Sequence, residues 1–190
     1  MSNPYTIPNL LTALRIALIP AIIVTFYLPY NWSDMACGVL FAVAGITDSI
    51  DGYLARRLGQ VSRLGAFLDP VADKLIVATA LVLIVSKDPV WYVTLTAAVI
   101  IGREIAISAL REWMSEIGAR HKMKVSGIAK FKTIVQITGL SMMLFRQNLF
   151  GVPIYQIGLV LTGLAAILTL WSMAAYLRAA GPDLRDFGRT

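Results

Sequence analysis

Long apolar runs alternate with short polar joints along this chain. No charged residue occurs between Ile16 and Ser33, and the run is rich in Leu, Ile, Val and Phe, which predicts a first membrane-spanning helix. The same reading continued along the chain predicts spans at 10–29, 35–54, 65–86, 90–110, 127–147 and 152–177, with short loops between them. Six spans of about 20 residues take about 120 residues and leave about 70 of the 190 for loops and ends. The expectation is a single integral-membrane domain over residues 1–190. Met1–Leu14 carries no Lys or Arg to form the basic leader of a signal peptide, so the first helix is expected to be retained.

Composition supports that class. Hydrophobic residues make up 57% of the chain and charged residues 15%, against about 25% charged in an ordinary soluble domain. Disorder is excluded, and a soluble enzyme fits poorly. The net charge of +6 points to cytoplasmic loops or anionic phospholipids. The basic residues are scattered, so no nucleic-acid partner is expected. Cys37 is alone in an apolar run and supports neither a disulfide nor a thiolate metal site.

Charge also sets the orientation. Arg56, Arg57 and Arg63 fall in one joint, Arg111, Arg120, Lys122 and Lys124 in another, and Arg178, Arg185 and Arg189 in the tail. The alternate joints hold only Lys87, with Arg146 at an edge. This asymmetry predicts that both termini lie in the cytoplasm, and an even number of spans satisfies it. Tyr27, Tyr30, Trp32, Trp91, Tyr92, Phe150 and Tyr155 flank the opposite joints, as interfacial aromatic anchors do. His121 reads as a solvated loop residue, and the tail from Gly181 to Thr190 as loose.

Several charges interrupt the second and third spans. The uncharged part of the second runs only from Met35 to Thr47, and that of the third from Leu75 to Ser86, so Asp48, Asp51, Asp69, Asp73 and Lys74 sit within or at the cytoplasmic ends of helices. A carboxylate at a helix centre in lipid costs about 2.5 to 3.5 kcal/mol, less near the interface. Asp48 and Asp51 are spaced i,i+3 and Asp69 and Asp73 i,i+4, so each pair shares a helix face. The two helices, read as antiparallel neighbours, bring four carboxylates to one depth. Oxygen ligands without His or Cys point to Mg2+ or Mn2+, and one or two such ions would offset the charge; two are expected. The competing reading makes Asp69 a helix N-cap before Pro70 and pairs the other carboxylates with Arg56, Arg63 or Lys74. The predicted architecture is thus an all-α polytopic membrane protein, six transmembrane helices around a cytoplasm-facing active-site cavity.

Gly52, Ala55 and Gly65 line the same loop side, where small residues let a flat base or a phosphate approach the backbone. Taken singly, each also reads as a helix-packing residue.

From Asp48 to Asp73 the chain reads DSIDGYLARRLGQVSRLGAFLDPVAD. It matches DxxDGxxAR, eight residues, GxxxDxxxD at every fixed position, and so resembles the CDP-alcohol phosphotransferase family. The resemblance implies that Asp48, Asp51 and Asp69 are metal ligands. It gives Asp73 a share of a metal and the role of the base that takes a proton from the acceptor alcohol. It implies further that Gly52, Ala55, Arg56 and Gly65 hold the cytidine diphosphate part of CDP-diacylglycerol, and that the protein is a homodimer of the bacterial inner membrane.

Three more stretches extend the resemblance over the chain: IPNLLTALRIALIP (Ile7–Pro20), GREIAISALREW (Gly102–Trp113) and AKFKTIVQ (Ala129–Gln136). They are similar to family members whose acceptor is sn-glycerol 3-phosphate, with phosphatidylglycerophosphate and CMP as products. A phosphate-bearing acceptor requires cations, and Arg103, Arg111, Lys130 and Lys132 are the candidates. Arg103 has pairing with Glu104 as its competing reading, and Arg111, Lys130 and Lys132 have snorkelling to the interface. Asn9, Thr12 and Arg15 share the start of the first helix and close the nucleotide or phosphate side of the pocket, unless Asn9 is a helix cap and Arg15 an interfacial anchor. Two rival functions stand beside this one: the same chemistry with serine or inositol phosphate as acceptor, and a divalent-cation transporter, since acidic residues in membrane helices also mark ion paths.

Overall fold

A computed structural model describes the backbone over 7–58, 63–118 and 127–187 and, within it, the side chains of 10–48, 65, 68–118, 131–178 and 181. Six helices follow one another: α1 (Ile7–Tyr27), α2 (Ser33–Leu58), α3 (Arg63–Lys87), α4 (Trp91–Glu116), α5 (Gly127–Phe145) and α6 (Ile154–Phe187). No strand is present among the described residues; a lone bridge pairs Leu149 with Val152.

The apolar runs form helices because they hold few residues that would stop one; Pro20 lies inside α1 without ending it. Where a stop occurs its cause is local: α4 ends as Gly118 turns to φ +72°, which only glycine adopts without cost. Three helices are long and apolar enough to cross a membrane, over Leu10–Tyr27, Trp91–Glu116 and Ile154–Arg178. Val24, Val82, Leu95, Ile134, Val160 and Trp171 are exposed on the bundle's outside. A surface this apolar suits lipid rather than water and marks a membrane protein.

Each helix buries one stripe. On α1 it is Thr12, Arg15, Ile22 and Phe26, on α4 Val93, Ala97, Ile100, Arg103 and Ile107, and on α6 Thr162, Ala166, Thr169, Ser172 and Tyr176. The α1 stripe is polar in its first half and apolar in its second, whereas that of α4 is apolar except for Arg103. α5 packs most extensively on α6, and two glycines permit it: a Cβ on Gly139 would lie 2.5 Å from Thr162 Oγ1, and one on Gly158 would lie 2.7 Å from the Gly139 carbonyl oxygen. Gly38 and Gly45 give α2 the same close approach to α5, against Phe145 and Ile137.

Three sequence expectations change. Among the described residues α2 and α3 touch only slightly; α1 packs against both and joins them. Asp69 is not an N-cap, because α3 begins at Arg63 and carries Pro70 inside it. Pro70 lies two turns into the helix, where it removes one backbone hydrogen bond and crowds the carbonyl of residue 66. The tail is not loose over its whole length, since α6 continues to Phe187.

At the end of the bundle formed by the joints after α1, α3 and α5, charges pair one to one. Lys87 Nζ lies 2.6 Å from Asp34, and Arg146 grips Asp88 with both terminal nitrogens, at 2.5 and 2.9 Å. The hydrogen bond from Arg146 holds the Asp88 carboxyl below its ordinary value of 3.8, and Asp88 in turn raises Arg146.

Candidate active site

The opposite end holds a cavity of about 330 Å³. Asp48 from α2, Asp73 and Lys74 from α3, Arg103, Glu104 and Arg111 from α4, and Lys132, Thr133 and Gln136 from α5 line it, with Arg15 from α1. Phe41, Ala44, Gly45, Ile76, Val77 and Ile137 supply its apolar lining. Charged groups carried on five helices thus converge in a space large enough for a small polar molecule.

Arg15 joins the two carboxylate helices. Its guanidinium donates to Asp73 Oδ1 and lies 3.1 Å from Asp48 Oδ1. The side chain of Arg15 is 1% exposed, whereas those of Asp48 and Asp73 are 35% and 43% exposed. The cation is therefore enclosed while both carboxylates keep access to the cavity. One turn earlier on α1, the Thr12 hydroxyl donates to Asp69 Oδ1. The i,i+3 spacing of Thr12 and Arg15 places both on the buried face of α1, so a single helix orients three of the four motif carboxylates.

The cations form a second group. Arg103 is buried, donates through Nη1 to Glu104 Oε2 at 2.9 Å and through Nη2 to Ser172 Oγ at 3.0 Å. Lys132 Nζ, also buried, is 3.9 Å from the same Glu104 oxygen. Arg111 donates to the Tyr176 hydroxyl at 3.2 Å. Arg103 and Lys132 thus share one carboxylate and Arg111 adds a third cation, which leaves this wall of the cavity with an excess of positive charge suited to a phosphate.

Asp48, Asp73, Arg103, Arg111 and Lys132 accordingly line one space, and Thr12 ties Asp69 to the same α1 face. Gly65 is buried in the first turn of α3. The side chains of Asn9, Asp51, Gly52, Ala55, Arg56 and Lys130 lie outside the described residues. The pairing of Arg103 with Glu104 exists, and it coexists with a place in the cavity wall. Of the two readings of Arg15, the interfacial anchor fails: the side chain is buried between carboxylates. Lys74, Glu104, Thr133 and Gln136 were not singled out as site residues; for Gln136 the available signal was its i+4 spacing from Lys132 on α5.

Among the described residues no three acidic, His or Cys side chains gather around one point, and the fourth motif carboxylate, Asp51, falls outside them. The donors that are described fit a hard divalent cation in kind: Asp48, Asp69 and Asp73 offer only oxygen, and no His or Cys lines the cavity.

Comparison with known proteins agrees with this chemistry. The sequence profile of the CDP-alcohol phosphatidyltransferase family matches residues 5–173. Proteins from Escherichia coli (strain K12), Salmonella typhimurium (strain LT2) and Shigella flexneri, each named CDP-diacylglycerol--glycerol-3-phosphate 3-phosphatidyltransferase, are 51% identical to this chain over 182 residues. The matched stretch covers 96% of this chain and 98% of each relative.

Proposed function

This chain belongs to the CDP-alcohol phosphatidyltransferase family, whose members generally depend on a divalent metal, and on that premise we propose that it transfers the phosphatidyl group of CDP-diacylglycerol to sn-glycerol 3-phosphate. The products are phosphatidylglycerophosphate and CMP. One observation carries the reading: the Arg15-joined carboxylates and the Arg103, Arg111 and Lys132 cations line the same cavity. The relatives' shared name supplies the acceptor.

In this mechanism Asp73 takes the proton from the acceptor's C1 hydroxyl, whose oxygen attacks the phosphorus that bears the diacylglycerol. A bond forms from that oxygen to phosphorus, the bond from phosphorus to the CMP oxygen breaks, and CMP leaves with the electron pair. Arg15 holds Asp73 at a fixed distance from Asp48. Arg103, Arg111, Lys130 and Lys132 bind the acceptor's phosphate; Asn9, Thr12, Gly52, Ala55, Arg56 and Gly65 bind the donor. Asp48, Asp51, Asp69 and Asp73 would hold two divalent ions, Mg2+ or Mn2+, which would supply charge neutralisation to the donor's pyrophosphate.

The diacyl tails stay among membrane phospholipids while the headgroup enters the cavity. The concentration of Arg and Lys in the joints at this end supports six crossings with both termini and the site cytoplasmic, and the family resemblance implies a homodimer of the bacterial inner membrane.

The test is CMP release by the purified protein from CDP-diacylglycerol with Mg2+ or Mn2+, with sn-glycerol 3-phosphate, serine, inositol phosphate or no acceptor in parallel. Release only with glycerol 3-phosphate is expected. Release only with another alcohol would move the acceptor assignment, and Mn2+ flux into vesicles without CMP release would replace the enzyme with a transporter.

A further inference from the structure

Gln136 has no role in the mechanism above, yet it is an uncharged amide buried in the cavity wall. It is 6% exposed, lines the cavity, and its side-chain oxygen has no hydrogen-bond partner among the described residues. Buried amides are ordinarily satisfied, so an unpaired one in a cavity wall calls for a ligand group to pair with it. Its position on α5 narrows what that group is. Lys132 lies one turn before it on the same face, and the neighbouring residue Ile137 packs against Gly45 of α2, one turn from Asp48.

Gln136 therefore sits between the cations and the apolar floor. A carboxamide carries no charge and is a poor substitute for Lys132 or Arg103 on a phosphate. It is well matched to a hydroxyl, which donates to its oxygen and accepts from its nitrogen. In sn-glycerol 3-phosphate the phosphate is taken by the cations and the C1 hydroxyl is the nucleophile near Asp73. Only the C2 hydroxyl is left without a partner.

We propose that Gln136 is the residue that recognises the C2 hydroxyl of the acceptor, so that the enzyme selects a glycerol phosphate over a phosphorylated alcohol lacking that group. The inference rests on the acceptor assignment made above and extends it to one atom. A site that buries a polar group for a substrate hydroxyl rejects the analogue without it, because the amide is then buried unpaired.

The experiment compares sn-glycerol 3-phosphate with propane-1,3-diol monophosphate, which lacks only the C2 hydroxyl, as acceptors for CMP release by the full-length protein in detergent with CDP-diacylglycerol. The wild type should prefer glycerol 3-phosphate by about 10- to 100-fold in kcat/KM. Gln136→Met, similar in volume, should shrink that preference to about threefold or less, chiefly by losing activity on glycerol 3-phosphate. Gln136→Asn, which keeps the amide but withdraws it by one methylene, should also lose most of the preference. The comparison within the wild type needs no variant to fold: equal use of the two acceptors overturns the proposal. So does an undiminished preference in both variants. If the wild type releases CMP with neither acceptor, the acceptor assignment fails as well, which separates that outcome from transfer without C2 discrimination.

Discussion

The two ends of this bundle handle charge in opposite ways. At one end Lys87 has Asp34 and Arg146 has Asp88, one cation to one carboxylate, on the helix termini and joints. At the other, Arg15 serves both Asp48 and Asp73, while Glu104 faces both Arg103 and Lys132. Matched pairs fasten helices together and leave no residual field. Unmatched groups around a cavity hold charge in reserve for a ligand, and this difference, rather than the number of charges, identifies the working end.

The comparison breaks most directly at Asp73. Asp73→Asn is nearly isosteric, so it should leave the fold intact while lowering transfer by about 100- to 10,000-fold, the range of a general base. CMP release by the purified variant checks this; wild-type rates would remove Asp73 from the chemistry. Arg15→Met should follow, with a loss of about tenfold or more in kcat and a lower melting temperature, since two carboxylates lose their shared cation. Arg103→Ala or Arg111→Ala should raise KM for glycerol 3-phosphate by about tenfold with little change in KM for the donor. Equal shifts in both would take these arginines out of acceptor binding.

The far end should respond in stability alone. Arg146→Met should cost about 1 kcal/mol or less, because both partners of the pair are 23% exposed, and transfer should be unchanged. A thermal melt in detergent measures it. The sign of its pH dependence follows from Asp88, whose carboxyl is held below 3.8. Its contribution is present above that ordinary value and is lost as pH falls through the lower value of the folded state. The melting difference between wild type and Arg146→Met should therefore narrow in acid and stay constant near neutrality.

Much of this was legible in the chain. The runs that predicted six spans are six helices, and the periodicity of Asp48, Asp69 and Asp73 marked the site, because spacing along one helix is a property of the sequence itself. Relations between helices were not. Arg15 and Asp73 are 58 positions apart, and nothing in the local pattern around Arg15 distinguishes a buried bridge from an interfacial anchor. The carboxylate helices were expected side by side because they are consecutive, whereas the short crossings at Gly38 and Gly45 draw α2 against α5 and leave α1 to join it to α3. Counting only Lys and Arg to find the orientation also hid the far-end pairs, since Asp34 and Asp88 do not enter that count.

Arg15 has one more consequence, for the making of the protein. Charges on α2 and α3 must be accommodated when a nascent chain enters the bilayer, and α1, emerging from the ribosome first, is already there with a guanidinium on its inward face. For the carboxylates of the helices that follow, that guanidinium offsets the cost of burying charge in the bundle. In chain order the helix that carries the shared counter-charge thus precedes the two acidic helices that it joins.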